Sequence, residues 1–203
     1  LVASVTTVST TVLSAFTGYA LAKFDFPGRD ALFASILATM MVPSQVTFIP
    51  LYIGMANLGW VNTYQGLVVP GLMTGFGVFL MRQFIQTLPT EFIEAARIDG
   101  CSELGIFFRI IMPLTTPALA TVSIFTFMGH WDEFLWPLII TNSVPMKTIP
   151  LGVAFFQQQE AGYPAHYNLI MAANLIGLVP VLVVFTSLQR YFVKGIVSGG
   201  LKG

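Results

Sequence analysis

Charged side chains are scarce in this 203-residue sequence, which holds nine basic and nine acidic residues and has a formal net charge of zero. Charged residues make up 9% of the chain, whereas soluble domains usually carry about 25%. A water-soluble globule would therefore lack the polar surface that it needs. The zero net charge also provides no basic surface for a nucleic acid, whose binding depends on releasing counterions from phosphates.

The sequence also lacks the features of several other protein classes. Cys101 is the single cysteine, so the chain cannot form an internal disulfide. The residues from Leu1 onward show no basic segment followed by a cleavage site, and we expect no signal peptide here. No glycine-rich loop ends in Gly-Lys-Ser or Gly-Lys-Thr, so this chain is not expected to bind ATP.

Apolar residues are what the sequence has in abundance: they make up 55% of the chain and give a mean hydropathy of +0.79. A helix needs about 20 mostly apolar residues to cross the hydrocarbon core of a membrane. The sequence therefore predicts an all-α membrane protein. Stretches with few or no charged residues predict five membrane-spanning helices, at residues 1–22, 31–53, 66–81, 116–140 and 167–190.

The basic residues predict the orientation of these spans, because short cytoplasmic loops collect Lys and Arg. Eight of the nine basic residues fall in the loop after the first span, in the loop after the third span or after the last span. Lys147 alone falls on the other side. We therefore expect the N-terminal end of this chain outside and its C-terminal end in the cytoplasm.

Residues 82–115 form the one sizeable loop on the predicted cytoplasmic side. The sequence predicts two short helices that meet at Gly100, with Thr90 as the N-cap of the first and Pro113 as the end of the second. The first helix alternates apolar and charged residues. This pattern fits an amphipathic helix on the membrane surface, and it fits equally well a helix that enters a groove on a soluble partner.

The same loop contains a motif with defined spacing. Glu94-Ala95-Ala96 is followed after three residues by Gly100, and after nine more residues by Ile110, one residue and Met112-Pro113. This spacing resembles the EAA loop of ABC importer permeases, with Met112 in place of the usual Leu.

Two longer segments are similar to the carbohydrate branch of that family, the maltose-type permeases. They are residues 89–102 and residues 129–137, although Asp132 and Glu133 stand where that branch usually has Asn and Asp. The resemblance covers essentially the whole chain. It implies the core of a type I ABC importer permease, with a transmembrane domain at 1–190, a cytoplasmic tail at 191–203 and a further helix preceding Leu1.

The resemblance also implies partners and a role for the loop. In such importers the EAA helix docks on a dimer of ATP-binding subunits, which bind ATP and Mg²⁺, so no cofactor is expected on this chain. The residues implied in coupling to the ATPase are Glu94, Ala95, Ala96, Arg97, Asp99 and Gly100. Further implied partners are a second, different permease subunit and an extracytoplasmic solute-binding protein that meets the outer loop 141–166. A solvated connector between two spans is an equally good interpretation of that loop. The implied location is a bacterial cytoplasmic (inner) membrane.

Polar side chains in or near the spans are candidates for the substrate path or a gate, because burying them in a membrane is costly. These candidates are Gln45, His130, Trp131, Asp132, Glu133 and Asn174. Capping and interface roles are an alternative for Asp132 and Glu133, and hydrogen bonding between helices is an alternative for Asn174. A lone histidine provides no set of metal ligands, so we expect no metal site, and we expect no catalytic residues.

The leading hypothesis is therefore a permease subunit of an ATP-driven, binding-protein-dependent importer of sugars or sugar-like solutes. One alternative is an ion-coupled carrier or channel, in which Asp132, Glu133 and His130 would relay charge. Another is an importer of the same fold for a non-sugar solute.

Close helix packing is expected on the third span, where Gly71, Gly75 and Gly77 leave room for a neighbouring helix.

Overall fold

The computed structural model describes residues 1–159 and 167–200, and within them the chain folds into helices and loops without a β-strand. This confirms the prediction of an all-α protein. The α-helices of the described residues are α1 (Val2–Lys23), α2 (Arg29–Thr39), α3 (Ser44–Asn57), α4 (Tyr64–Val68), α5 (Gly75–Gln86), α6 (Glu91–Ile98), α7 (Glu103–Ile106), α8 (Met112–Leu114), α9 (Thr116–Trp131), α10 (Leu135–Ile140), α11 (Ile149–Gln159) and α12 (Tyr167–Gly200). Short 3₁₀ turns at Val69–Gly71 and Val144–Met146 and a π turn at Phe107–Ile111 join some of them.

Three helical stretches of the described chain are long and apolar enough to cross a membrane: Val2–Lys23, Tyr64–Gln86 and Tyr167–Tyr191. Two bent pairs also pass this test when each pair is taken together: α2 with α3, and Glu103–Leu114 with α9. The predicted number of five spans is reached only if each bent pair is counted as one span. The last helix continues past residue 190 to Gly200, and residues 201–203 lie outside the described residues.

The second predicted span is wrong as a continuous helix. Helices α2 and α3 meet at 100° across a break between Thr39 and Ser44. Pro43 explains the break, because proline has no backbone N–H to donate and it disfavours helical geometry in the residue before it. Pro50, by contrast, lies inside α3 without ending that helix.

The fourth predicted span, residues 116–140, is also interrupted. Helix α9 ends at Trp131 and α10 begins at Leu135. In one continuous helix, Pro137 would have to donate a hydrogen bond to Glu133, and proline has no N–H for it. The Glu133 carboxylate instead accepts a bond from the backbone N–H of Trp136, at 3.3 Å, and so caps the short helix α10.

The predicted helix end at Pro113 is wrong as well, since the chain stays helical through Leu114. A π turn at Phe107–Ile111 precedes the proline, and its wider radius accommodates the ring where a regular α turn would clash. The chain then bends by 80° into α9. Thr115 stabilises this bend, because its hydroxyl donates to the carbonyl of Ile111 at 2.8 Å.

Helix α1 lies at the centre of the molecule and packs against α5 and α9. A buried stripe of threonine and serine faces these neighbours: Thr10 donates to the carbonyl of Gly71 at 2.7 Å, and Thr11 lies 3.0 Å from the hydroxyl of Ser123. Small residues bring the backbones close. A Cβ at Gly18 would lie 2.8 Å from the backbone nitrogen of Arg82, so α1 and α5 touch there through the glycine.

The predicted close packing of the third span is confirmed at all three glycines. A Cβ at Gly71 would lie 2.6 Å from Cε1 of His130, and one at Gly75 would lie 2.7 Å from Cγ of Met40. A Cβ at Gly77 would collide with the hydroxyl of Ser14. The third span is therefore held against α1, α2 and α9 at separations that only glycine permits.

Candidate functional site

The first helix of the 82–115 loop ends in the turn that the sequence predicts at Gly100. Gly100 has a φ of +78°, which is the left-handed conformation that favours glycine. The N–H of Gly100 bonds to the carbonyl of Arg97 at 3.0 Å, and that of Cys101 bonds to Ala96 at 2.9 Å. This pair of bonds is a Schellman cap, so the helix α6 ends at a defined residue.

The N-terminal end of α6 lies where the sequence predicts it, but Thr90 does not cap the helix with its side chain. Its hydroxyl lies 3.4 Å from the ammonium of Lys23 instead, and Lys23 also donates to the carbonyl of Leu88 at 2.6 Å. The start of the loop is thus attached to the last turn of α1.

A second attachment joins the two loop helices to α1 through Glu103. One carboxylate oxygen of Glu103 accepts a bond from Arg97 at 2.6 Å, and the other accepts a bond from the Tyr19 hydroxyl at 3.0 Å. The hydrogen bond to Glu103 raises the pKa of Arg97 above its ordinary value. Because Arg97 and Glu103 are each about 40% exposed, at 40% and 44%, solvent screening limits their ion pair to about 0–1 kcal/mol. We name Tyr19, Glu103 and Arg97 the Glu103 clamp.

The six residues implied in coupling lie on two different faces of the loop. Ala96 is buried with Ile93 in the protein's own core, so its side chain faces the membrane domain. The exposed residues are Glu94, Ala95, Arg97, Asp99 and Gly100. Two apolar side chains share this outer face: Phe92 is 54% exposed and Ile98 is 86% exposed.

Three of the six candidate path residues come together around two adjoining cavities. His130 and Trp131 line a cavity of about 220 Å³ beside Tyr64, and His130 also lines a cavity of about 210 Å³ together with Glu133 and Trp136. The walls of both cavities share Val2, His130 and Thr148. We name the two cavities together the His130 cleft.

The other three candidates lie outside these two cavities. Asp132 and Asn174 are exposed and line a third cavity, of about 450 Å³, among α9, α11 and α12. Its walls share Trp131, Ile149 and Pro150 with the cavity beside Tyr64. Gln45 is exposed in the first turn of α3, where Ser44 donates to it at 3.4 Å. Trp131, which lines the His130 cleft, also joins α9 to α12, because its indole N–H donates to the carbonyl of Gly177 at 2.9 Å. No group of three or more His, Cys, Asp or Glu side chains in the described residues could hold a metal ion.

Sequence reasoning missed Tyr19, Glu103 and Thr148. Tyr19 is a polar side chain near the end of an apolar span, and Glu103 follows a serine at the start of the second loop helix. These signals are weak, since the bond between the two joins residues 84 positions apart in the chain. No local pattern marks Thr148.

Comparison with known proteins gives consistent matches over the length of the chain. A family model described as "Binding-protein-dependent transport system inner membrane component" matches residues 11–198. The arabinooligosaccharides transport system permease protein AraQ of Halalkalibacterium halodurans is 40% identical over 192 residues, covering 95% of this chain and 68% of that protein. The sn-glycerol-3-phosphate transport system permease protein UgpE of Yersinia pestis is 38% identical over 192 residues, with the same coverage of 95% and 68%.

A solved structure matches the fold. It is the crystal structure of a bacterial ABC transporter involved in the import of the acidic polysaccharide alginate. The TM-score is 0.72 at 24% sequence identity, and the match covers 93% of this chain and 73% of that one.

Proposed function

The chain belongs to the binding-protein-dependent transport system inner membrane component family, and from this premise we propose that it is a permease subunit of an ATP-driven importer of sugars or sugar-like solutes. The names of its relatives AraQ and UgpE support the solute class, one being a sugar transporter and the other a transporter of a polyol phosphate. The chain would form half of the translocation path beside a second permease subunit. A solute-binding protein would deliver the solute, and a separate pair of subunits would hydrolyse ATP.

The observation that carries this proposal is the outer face of α6. Ile98 lies one helical turn from Glu94 and is 86% exposed, and an apolar side chain left exposed next to charges is typical of a protein interface. The same face could in principle lie on a membrane. Helices that bind membrane surfaces are usually basic, whereas Glu91, Glu94 and Asp99 make this one acidic. A basic groove on the ATP-binding subunit is therefore the better partner.

The two faces of α6 suggest separate roles for the implied coupling residues. Glu94 would pair with a basic group of the ATPase, and Ala95 would let the two backbones approach closely. Ala96 and Gly100 would act within this chain, because Ala96 anchors the helix in the core and Gly100 ends it. Arg97 would hold the helix in place through the Glu103 clamp. Asp99 contributes to the acidic character of the face.

Coupling would then be a rigid-body movement shared by the loop and the membrane helices. ATP binding would close the ATPase dimer and move α6, and the shared core with Tyr19, Ile93 and Phe107 would carry α1 with it. The ligand changes the balance between two permease conformations only because its contacts differ between them. The Glu103 clamp would transmit the movement of α6 to α1 within this chain.

The positions of the basic residues support the proposed orientation. Lys23, Arg82 and Arg97 lie at the C-terminal end of α1, where Arg82 also contacts Asp30 at 3.7 Å. Lys147 lies at the other end, on the wall of the cavity beside Leu1. By the excess of basic residues in cytoplasmic loops, the 82–115 loop faces the cytoplasm. The outer loop that would meet the binding protein includes residues 160–166, which lie outside the described residues.

The exposed apolar faces of the chain fit a membrane complex. Helix α2 has no buried residue, and α12 exposes apolar side chains between Tyr167 and Phe185, including Leu175, Ile176 and Val183. In a membrane these surfaces would be covered by lipid and by the second permease subunit.

Charge reversal at Glu94 tests the proposal. The chain is expressed with its second permease subunit and its ATP-binding subunits, and the amount of ATPase retained on the purified chain is measured. Because a charge lost from an interface pair costs about 2–5 kcal/mol, Glu94→Lys should weaken retention at least tenfold. Asp132→Lys is the matched control, since Asp132 is also an exposed acid and lies at the far end of α9.

The two variants together decide the question. Loss of the ATPase from Glu94→Lys but not from Asp132→Lys supports docking on the outer face of α6. Equal retention in wild type and both variants would contradict it, and so would a wild-type complex that never retains an ATPase.

A further inference from the structure

We propose that a groove between α1 and α7 binds a membrane phospholipid whose headgroup carries an ammonium, of the phosphatidylethanolamine kind. The groove has a volume of about 320 Å³ and lies at the end of α1 that carries Lys23. It shares no wall residue with the His130 cleft. The inference goes beyond the proposed import function, since it depends only on the location of the chain in a membrane.

The position of the groove along α1 matches the boundary between hydrocarbon and headgroups. Helix α1 has 22 residues and is about 33 Å long, so it crosses the hydrocarbon core once and its last turn lies at an interface. Phe16 lies about 10 Å deeper than Lys23 along the helix, whereas Phe26 follows the end of the helix. Both phenylalanines line the groove. The groove therefore extends from the depth of acyl chains to the depth of headgroups.

The deeper part of the groove offers apolar surface to a lipid chain. Phe16 on α1 and Leu104 on α7 are both exposed on its walls. Tyr19 and Phe24 also line it, and their rings meet edge to face with 5.3 Å between the centroids. The first carbons of an acyl chain would cover this surface and gain the free energy of apolar contact.

Two carboxylates, those of Asp25 and Glu103, lie on the walls at the headgroup end, and no basic side chain lies on the described walls. Each oxygen of Glu103 accepts one bond, from Tyr19 or from Arg97, so the carboxylate can still accept others. The Asp25 side chain is 95% exposed. A primary ammonium supplies three N–H donors and a positive charge to such acids. The aromatic faces beside them attract a cation as well.

Two arginines beside the groove match the phosphate of the same lipid. Arg29 pairs with Asp25 and donates to the carbonyl of Phe24 at 3.4 Å. Arg97 pairs with Glu103, and its guanidinium carbon lies 5.6 Å from the ring centroid of Phe24. Each guanidinium has five N–H donors, so each keeps some for a phosphate oxygen.

The charge balance of these four side chains selects a zwitterionic headgroup. Asp25 and Glu103 are balanced by Arg29 and Arg97, so the set has no net charge. Lys23 does not line the groove, and its ammonium donates to the carbonyl of Leu88. Anionic lipids are usually recognised by clusters of basic residues. Phosphatidylglycerol, which has the phosphate but no ammonium, is therefore the poorer ligand.

Photoaffinity labelling of the full complex tests the site. This chain, its second permease subunit and the ATP-binding subunits are purified together in detergent. A trace of phosphatidylethanolamine with a diazirine in the acyl chain near the headgroup is added, and labelled peptides are identified by mass spectrometry. We expect label within residues 16–26 and 103–104. Unlabelled phosphatidylethanolamine should displace the probe at about 3- to 10-fold lower concentration than phosphatidylglycerol with the same acyl chains.

Asp25→Asn and Glu103→Gln each remove one carboxylate and keep the shape of the side chain. Each should reduce the preference for phosphatidylethanolamine about 2- to 5-fold, which is the effect of losing one exposed charge pair. Asp25 lies on the surface, so its variant should fold like wild type. Asp30→Asn is the matched control, because Asp30 is also an exposed acid that contacts Arg29, at 3.3 Å, but it does not line the groove.

The preference in Asp30→Asn should equal that of wild type. Equal displacement by the two lipids would overturn the proposal, and so would a wild-type preference in both Asp25→Asn and Glu103→Gln. An equal loss of preference in Asp30→Asn would overturn it too, because the effect would then be one of general charge. Absence of label from the walls would show that another part of the complex covers the groove, and it would also overturn the proposal. The labelling needs neither solute nor ATP, so its result stands whether or not the complex imports sugars.

Discussion

The hydroxyl of Tyr19 donates a hydrogen bond to Glu103 across 3.0 Å and joins the end of α1 to the second helix of the 82–115 loop. The other oxygen of the same carboxylate accepts a bond from Arg97 at the end of α6. One acid therefore connects the exposed face proposed for the ATPase to the central helix of the membrane domain. Movement of α6 should reach α1 through this bond and through the shared core.

Tyr19→Phe should impair coupling without preventing assembly. Tyr19 is 3% exposed, so losing its bond to Glu103 should cost about 1 kcal/mol of stability, and the ring would keep its packing. We expect more ATP hydrolysed per solute imported, measured as the ratio of the two rates in proteoliposomes. Tyr52→Phe is the control, since the Tyr52 hydroxyl makes no hydrogen bond in the described residues. An unchanged ratio in Tyr19→Phe would show that the clamp plays no part in coupling.

Gly100→Ala should destabilise the loop through backbone strain alone. No atom of a neighbour lies within 4 Å of the position of the new Cβ, but the φ of +78° costs an alanine about 1–2 kcal/mol. Gly129→Ala is the matched change in α9, where space is equally open and φ is helical, so it should be neutral or stabilising. Thermal unfolding of the purified chain in detergent measures both, and equal melting temperatures would refute the strain argument.

Gly18→Ala should loosen the contact between α1 and α5. The added methyl would lie 2.8 Å from backbone and side-chain atoms of Arg82 and Met81, and backbone cannot move aside cheaply. Overpacking of this kind costs about 1–3 kcal/mol. In Gly54→Ala the methyl meets nothing within 4 Å and the residue lies inside α3, so that variant should be at least as stable as wild type. Should the two variants prove equally stable, the helices do not touch through Gly18.

Cys101 allows the orientation to be measured without adding a label site. It is partly buried directly after Gly100, and it is the single cysteine of the chain. A membrane-impermeant maleimide should react with it in inside-out vesicles and leave it unmodified in intact cells. Lys147→Cys combined with Cys101→Ser should give the reverse pattern, because Lys147 lies at the other end of α1. Labelling of Cys101 in intact cells would show that the loop lies outside and that the proposed orientation is wrong.

The sequence predicts the turn of the 82–115 loop because its chemistry is local: Gly100 ends α6 through its own backbone freedom. It does not predict that Ile93 and Ala96 face the protein's own core, because that depends on the helices that pack against α6. Stretches with few charged residues also locate the spans. A segment can cross the hydrocarbon core if it is long and apolar enough, and both properties can be read from its composition without knowing its contacts.

The breaks and the long-range contacts could not be predicted in the same way. Hydropathy does not register a missing backbone N–H, so it includes Pro43 and Pro137 in continuous spans. The Glu103 clamp joins residues that are far apart in the sequence and that only folding brings together. The buried hydroxyl of Thr148, which has no hydrogen-bond partner in the described residues, also depends on the folded structure. Only the structure shows that His130 and Glu133 line one cavity and that Asp132 and Asn174 line a neighbouring one.

Uptake of labelled arabinotriose tests the central claim most directly. The chain is reconstituted into proteoliposomes with its second permease subunit and its ATP-binding subunits, and uptake is followed with the solute-binding protein present. The account predicts accumulation that requires ATP on the side of the ATPase and stops when that ATPase is disabled by mutation. Entry of arabinotriose without ATP would contradict it. Entry down the solute's own gradient would identify a channel, and accumulation driven by an imposed ion gradient would identify an ion-coupled carrier.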